Sequence, residues 1–304
     1  MDKKFFLVGD NPFHSISHLS QERSRARSDF ATQPESAARL VSLAVENGAN
    51  GFMFSVSDTT LGILRKLRIE GVTSGLDIFA IVPYAYEYVR LAAQSGGLVG
   101  LGQRFGKQLL LSGNLGAVGG GLKGVLRMNP ESLLRTYLSF ELSRIRSAAG
   151  KHANVESVLL HEVITDMALA LDMDWLFKAY VKFLRGKDIV PGFNTCNFAC
   201  LADKFERWGF ELGEVVIAAP FNKVGFQMNP SREECEKALS KLKVSVTIAI
   251  SVLAAGYLKV PEAVDYVAGL PNVKGLAVGV SKEAHARDTF RFIRERFDSA
   301  RALG

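Results

Sequence analysis

The chain has 304 residues, of which 48% are hydrophobic and 22% charged, with a formal net charge of +6 at pH 7. Such a chain can bury a large core, which excludes an intrinsically disordered protein. Its basic residues are spread over helix faces without an aromatic-interleaved stripe, so a nucleic-acid partner is not expected.

Three further features concern the compartment in which the protein works. No apolar run reaches the roughly 18 residues that span a bilayer, and the N-terminal apolar run is too short for a signal peptide. The three cysteines cannot all pair, and they form no CxxC motif. We therefore expect a cytoplasmic protein with reduced thiols and no membrane span.

Short apolar runs alternate with helix-period segments along the whole chain, which is typical of parallel strands buried on both faces. Eight such runs are found: Phe5–Gly9, Gly51–Ser55, Ile78–Pro83, Ser157–His161, Ile189–Phe193, Val215–Ala219, Val244–Ile250 and Gly275–Gly279. Apolar spacings of three and four predict helices over 36–47, 131–146, 174–184 and 283–297. The pattern predicts one α/β domain over 1–304, a (β/α)8 TIM barrel.

A doubly wound open sheet is the alternative architecture. It is disfavoured because Asp10-Asn11-Pro12-Phe13-His14 follows the first strand, where that fold needs a glycine-rich phosphate turn.

One long segment, 85–130, interrupts the alternation after the third strand, and much of it is glycine-rich and apolar. An insertion at the carboxyl end of a barrel strand falls on the catalytic face. We expect a lid or pocket wall, with an oligomer contact or a membrane-surface contact as alternatives.

Active sites of such barrels are built where the strands end, so polar residues at those positions are the candidates. The first loop is the most unusual, since Asp10, Asn11, His14 and His18 follow an apolar strand within nine residues. Asp10 and His14 are candidate catalytic residues and Asn11 and His18 candidate substrate-binding residues, or the segment forms an Asx-type turn. A divalent metal held by His14, His18 and His161, with Asp58 or Glu162, is a further alternative.

His161 is the strongest catalytic candidate, because an apolar strand delivers this imidazole to the predicted barrel mouth. A structural histidine is the alternative interpretation. The other strand ends supply candidate substrate-binding or catalytic side chains: Asp58, Tyr84, Glu162, Asn194, Asn222 and Lys223. Gly279, Ser281 and Lys282 precede a predicted helix and could hold a phosphate at its N-terminus, with Ser281 as N-cap.

The order of motifs from 131 to 285 resembles the aldo-keto reductases. Four motifs show the resemblance, in chain order: a strand that ends in His161, the segment Gly186-Lys187-Asp188-Ile189-Val190-Pro191-Gly192-Phe193-Asn194, the tripeptide Pro220-Phe221-Asn222, and the tripeptide Gly279-Val280-Ser281. The resemblance implies a TIM barrel and a nicotinamide cofactor, NADP or NAD. The family's tyrosine after strand two and lysine on strand three have no counterpart here, so of its catalytic tetrad only His161 maps.

These patterns predict an aldo-keto-reductase-like oxidoreductase that acts on a small anionic or carbonyl substrate. A metal-dependent hydrolase, a lyase or isomerase, and a non-catalytic binding barrel that has lost the tetrad are the alternatives. A homo-oligomer is compatible with each of them.

Overall fold

Eight parallel strands close into a barrel in chain order, each paired with its sequence neighbour and the last with the first. The computed structural model describes residues 3–14, 33–83, 130–210, 213, 215–242 and 246–302. The strands are β1 (Phe5–Gly9), β2 (Gly51–Ser55), β3 (Asp77–Val82), β4 (Asn154–Leu160), β5 (Val190–Asn194), β6 (Val216–Pro220), β7 (Val246–Ile250) and β8 (Val273–Gly279). The predicted (β/α)8 barrel is confirmed, and the open-sheet alternative is wrong because β1 pairs with β8.

Helices connect the strands and form the outer layer. Within the described ranges they are α1 (Pro34–Glu46), α2 (Asp58–Ile69), α3 (Pro130–Ala149), α4 (Glu162–Ala170), α5 (Asp174–Arg185), α6 (Phe198–Arg207), α7 (Arg232–Lys241), α8 (Val260–Ala268) and α9 (Glu283–Ala302). Short 3-10 turns occupy Asn11–His14, Val72–Gly75 and Ala254–Gly256. The helices predicted over 36–47, 131–146, 174–184 and 283–297 correspond to α1, α3, α5 and α9.

Local chemistry explains where several helices begin. Ser57 and Thr60 form a reciprocal capping box at the start of α2, and the Ser231 hydroxyl accepts a hydrogen bond from the Glu234 amide at the start of α7. Pro34 occupies the first turn of α1, where its missing N–H costs nothing.

The barrel has two separate apolar layers, because successive side chains on a strand point to opposite faces. Its interior is filled by one cluster: Phe5, Leu7, Met53, Phe79, Ile81, Leu159, Val216, Ala218 and Ile248. A much larger cluster fills the space between strands and helices. Val190 packs against the interior cluster, so residues 192 and 194 of β5 also face inward.

Phe193 fixes the orientation of β5 from the outside. Its ring lies 5.4 Å from that of Phe177 and 5.1 Å from that of Phe205, so it is held in the outer layer under α5 and α6. The next residue, Asn194, is therefore directed into the barrel at its carboxyl end.

Most of the predicted insertion and part of the first loop lie outside the described residues. These include His18, Tyr84 and all of 85–129, while Pro130 begins α3. Within the described part of the chain, no helix combines the length and apolar character that crossing a membrane requires.

Candidate active site at the barrel mouth

Residues 10–14 of the first loop lie at the carboxyl end of β1 and are fixed there by Asp10. This carboxylate is buried, accepts a hydrogen bond from the Ser55 amide at 2.7 Å, and lies 3.1 Å from His14 Nε2. An ionised carboxylate only accepts hydrogen bonds, so His14 donates from Nε2. Asp10 thus joins the first loop to the end of β2 and orients an imidazole beside it.

His161 follows directly on β4 and continues the parallel ladder, with its amide donating to Val82 O at 2.7 Å. It is also the N-cap of α4, where its Nδ1 accepts from the Val163 amide at 3.2 Å. A neutral imidazole that accepts at Nδ1 carries its proton on Nε2. The backbone of α4 therefore selects the tautomer of His161.

Burial lowers the pKa of His161 below its usual value, and the negative charge of Asp10 offsets part of that effect. At neutral pH the imidazole is consequently neutral and presents an Nε2–H donor. A neutral donor of this kind can polarise a carbonyl oxygen.

Asn194 lies beside His161 at the mouth. Leu159 on β4 is paired with Gly192 on β5, so the next inward pair in register is His161 and Asn194. Asn194 is 7% exposed, and its Oδ1 is buried without a hydrogen-bond partner among the described residues. Because a buried acceptor without a partner is costly, this oxygen suits a donor from a bound ligand.

Glu162 and Asp166 are spaced four residues apart on α4 and face the loop that follows β5. Burial, together with the charge of Asp166, raises the pKa of Glu162, and a contact with the Cys196 thiol opposes part of that rise. Burial and the two carboxylates raise the pKa of Cys196 to about 12. This cysteine is therefore a protonated thiol.

Asp166 accepts three hydrogen bonds in this region, and it was not among the site residues predicted from the sequence. It accepts from the Cys196 amide at 3.1 Å, from Asn197 Nδ2 at 2.9 Å and from the Thr195 hydroxyl. The available signal was the Glu162–Asp166 spacing, which places two acids on one face of a helix.

Several other predicted site residues have partners of their own. The Asp58 carboxylate is 88% exposed and pairs with Arg144 at 2.9 Å, and Lys223 pairs with Glu262 at 2.8 Å on the surface. The Asn222 side chain forms two hydrogen bonds with the Phe226 backbone, with Nδ2 donating to the carbonyl and Oδ1 accepting from the amide, at 2.8 Å each. Asn11 is exposed on the 3-10 turn. Their roles in binding or catalysis stay predictions.

The predicted phosphate cradle has a different local structure from the one expected. A Cβ on Gly279 would lie 2.7 Å from Pro12 Cδ, so the glycine allows the first loop to pack against β8. The Lys282 carbonyl accepts the first helical hydrogen bond of α9, from Ala286 at 3.0 Å, which makes Lys282 the N-cap in place of Ser281. Ser281 is half-buried and the Lys282 side chain is exposed.

Among the described residues, no group of three or more histidine, cysteine, aspartate or glutamate side chains is placed to hold a metal ion. His18, which the metal alternative requires, lies outside the described residues.

Comparison with known proteins supports the fold. No protein-family model and no curated protein matches the sequence. Two solved structures, both described as candidate aldo-keto reductases from Pseudomonas aeruginosa, match 96% of this chain at 14% identity. The match covers 89% of one and 90% of the other, with TM-scores of 0.56 and 0.58. The protein is thus a (β/α)8 barrel whose fold is similar to that of these two structures.

Proposed function

We propose that this protein is a cytoplasmic enzyme that transforms the carbonyl group of a small molecule at the barrel mouth. The observation that carries the proposal is His161, a neutral imidazole whose tautomer is fixed by the Val163 amide and whose Nε2–H is left to donate. The cytoplasmic assignment is supported by the three cysteines, all of which are free thiols.

Each residue of the mouth has a defined part in this chemistry. His161 donates to the carbonyl oxygen and stabilises the negative charge that develops there. Asp10 holds the His14 imidazole in one orientation, and this imidazole exchanges a proton with the substrate. The Asn194 carbonyl oxygen accepts from a hydroxyl or amide of the bound molecule and so orients the reacting carbon towards His161.

The aldo-keto-reductase-like fold suggests carbonyl reduction, for which a nicotinamide cofactor supplies the hydride. The residues present fit such a group: Asn194 Oδ1, which has no hydrogen-bond partner within the described ranges, suits an amide N–H, and Ser281, Lys282 and the start of α9 suit a phosphate. Because Pro12 packs on Gly279, we expect the phosphate to lie beyond Gly279, on the side of Lys282.

A lyase or isomerase acting on a hydroxycarbonyl compound is the second candidate. The contact between Pro12 and Gly279 favours this candidate, because Gly279 is one of the residues that the sequence predicts to bind a cofactor phosphate. Polarisation by His161 acidifies a carbon next to the carbonyl, and the His14 imidazole held by Asp10 accepts the proton that this carbon loses; these are the two parts of an enolisation step.

A substrate panel tests the proposal and separates the two candidates. Aldehydes, ketones and hydroxycarbonyl phosphates are incubated with NADPH or NADH to follow nicotinamide absorbance, and in D2O without cofactor to follow exchange of carbon-bound hydrogen. His161→Ala is expected to lower either activity by about 100-fold, the scale of one lost transition-state donor. His152→Ala, which replaces an exposed histidine in the turn before β4, is the matched control.

Each outcome of the panel has a defined meaning. Cofactor oxidation favours the reductase, and hydrogen exchange alone favours the isomerase or lyase. An activity that His161→Ala leaves unchanged contradicts the role of His161, and inactivity of the wild-type protein across the panel contradicts the carbonyl assignment.

A further inference from the structure

The short helix α4 connects two residues of the mouth that lie on different strands. It begins immediately after His161, which caps it, and it carries Asp166 one turn further along. The three hydrogen bonds that Asp166 accepts all come from 195–197, the segment that directly follows Asn194. One helix therefore holds both His161 and the chain next to Asn194.

The hydrogen bonds to Asp166 are of the strong type. Each joins a neutral donor to a carboxylate, and such charge-assisted bonds exceed neutral ones in strength. The Thr195 hydroxyl donates to Asp166 and also accepts from the Asn197 amide at 2.9 Å, which adds a further bond within the same turn. These contacts restrict the backbone immediately beyond the end of β5.

Asn194 is the residue that directly precedes this restricted turn. Its side chain is more than nine-tenths buried and faces the mouth, with an oxygen that has no partner among the described residues. Because no described residue bonds to Asn194 Oδ1, the orientation of the Asn194 side chain depends on the position of the neighbouring backbone.

We infer that Asp166 is a positioning residue, which fixes the direction of Asn194 relative to His161 by holding the 195–197 turn. The inference rests on the proposed function only in treating the mouth as the binding site. Asp166 acts through the turn and does not itself contact the ligand.

A purely structural role is the competing explanation. Asn197 is the N-cap of α6 but its side chain makes no capping bond, so the negative charge of Asp166 also stabilises the N-terminus of α6. That role would change the stability of the protein and leave the side chain of Asn194 where it is.

Asp166→Asn, compared with Asp172→Asn, distinguishes the two roles. The substituted amide is neutral and retains one acceptor oxygen, so none of the three bonds stays charge-assisted, and those that face its NH2 group are lost or, at the Thr195 hydroxyl, reversed. Asp172 is the matched control, because it also connects the chain around α4 to α6, through an ion pair with Lys204 on α6. It lies beyond the C-terminal end of α4.

The measurements are the side-chain amide NMR signals of Asn194, assigned with Asn194→Asp, and hydrogen exchange at the Cys196 amide. Asp166→Asn is expected to shift or broaden the Asn194 signals and to accelerate exchange at Cys196 by about tenfold or more. Asp172→Asn is expected to leave both unchanged even where it lowers the melting temperature.

A second pair of variants covers the case in which Asp166→Asn does not fold. Thr195→Val removes one donor to Asp166 and the acceptor for the Asn197 amide, and it is expected to produce the same effects on a smaller scale. Thr195→Ser retains the hydroxyl and is expected to resemble wild type. Unchanged Asn194 signals in Asp166→Asn, or in Thr195→Val if the former does not fold, would overturn the inference. Because neither measurement needs a substrate, a failed substrate panel would contradict the proposed function without affecting this result.

Discussion

Replacing Asp10 by alanine is expected to lower the free energy of unfolding by about 2–4 kcal/mol at pH 7. The carboxylate is buried and accepts from the Ser55 amide at 2.7 Å and from His14 Nε2 at 3.1 Å. Leaving a buried amide without a partner costs roughly 1–3 kcal/mol, and losing a hydrogen bond to a charged group costs roughly 1.5–3 kcal/mol. The sum is reduced because Ser55 is only half-buried and water can reach part of the gap.

Asp58→Ala is the matched control, since both aspartates are catalytic candidates from the sequence and both follow barrel strands. The Asp58 carboxylate is 88% exposed, and its partner Arg144 keeps a second acidic neighbour, Glu141, at 3.1 Å. An exposed ion pair and a first-turn acid each contribute less than about 1 kcal/mol.

Equilibrium unfolding in guanidinium chloride, monitored by circular dichroism and tryptophan fluorescence, measures both effects. Equal slopes against denaturant must be established first, so that the midpoints report stability. A loss below about 1 kcal/mol for Asp10→Ala, or one no larger than that of Asp58→Ala, would refute the argument that Asp10 anchors the first loop.

The remaining predictions concern three other positions. The pKa of His161 is expected below the usual value of about 6.5 in an NMR titration, since burial disfavours its charged form. As the pH falls below about 6.5, the unfolded chain takes up this proton first. The histidine's contribution to stability is therefore present at neutral pH and is lost as the pH falls to the folded-state pKa. A measured pKa of His161 at or above about 6.5 would contradict this prediction. Gly279→Ala is expected to lower the free energy of unfolding by about 1–3 kcal/mol, because the new Cβ would lie 2.7 Å from the rigid ring of Pro12. Gly9→Ala is the control, since its Cβ would meet atoms no closer than 3.5 Å and the variant should fold normally. Equal melting temperatures of the two variants would be inconsistent with the contact between Gly279 and Pro12. Lys223→Met is expected to change stability by less than about 0.5 kcal/mol, because the ion pair it removes is exposed; a larger loss would point to a buried role.

The strands were predictable because their signal is local. Phe5–Gly9 and Gly51–Ser55 begin and end where the apolar runs do, and the other strands lie within a few residues of their predicted bounds. Burial on both faces makes such runs continuous in sequence, and the helices between them show their apolar stripe every three or four residues. The helix α4 was not predicted, because a nine-residue helix with Ile164, Met167 and Leu169 around it has no clear apolar stripe.

The site was only partly predictable, for a physical reason that individual residues show. Asp10, Asp58 and Lys223 all follow strands in the sequence, yet Asp10 is buried against Ser55 and the other two pair with surface side chains. Which candidate is buried depends on contacts between residues far apart in the chain, and sequence spacing does not encode those contacts.

The sequence by itself determined the alternation of strands and helices, the barrel that follows from it, and the delivery of His161 to a strand end. Only the tertiary structure decided which polar groups converge there. It placed Asn194 beside His161 through strand register, set the tautomer of His161 through the Val163 amide, and brought Asp166 against the 195–197 turn. The reason is that periodicity is a property of neighbouring residues, whereas hydrogen-bond partners and burial are set by the closure of the whole barrel.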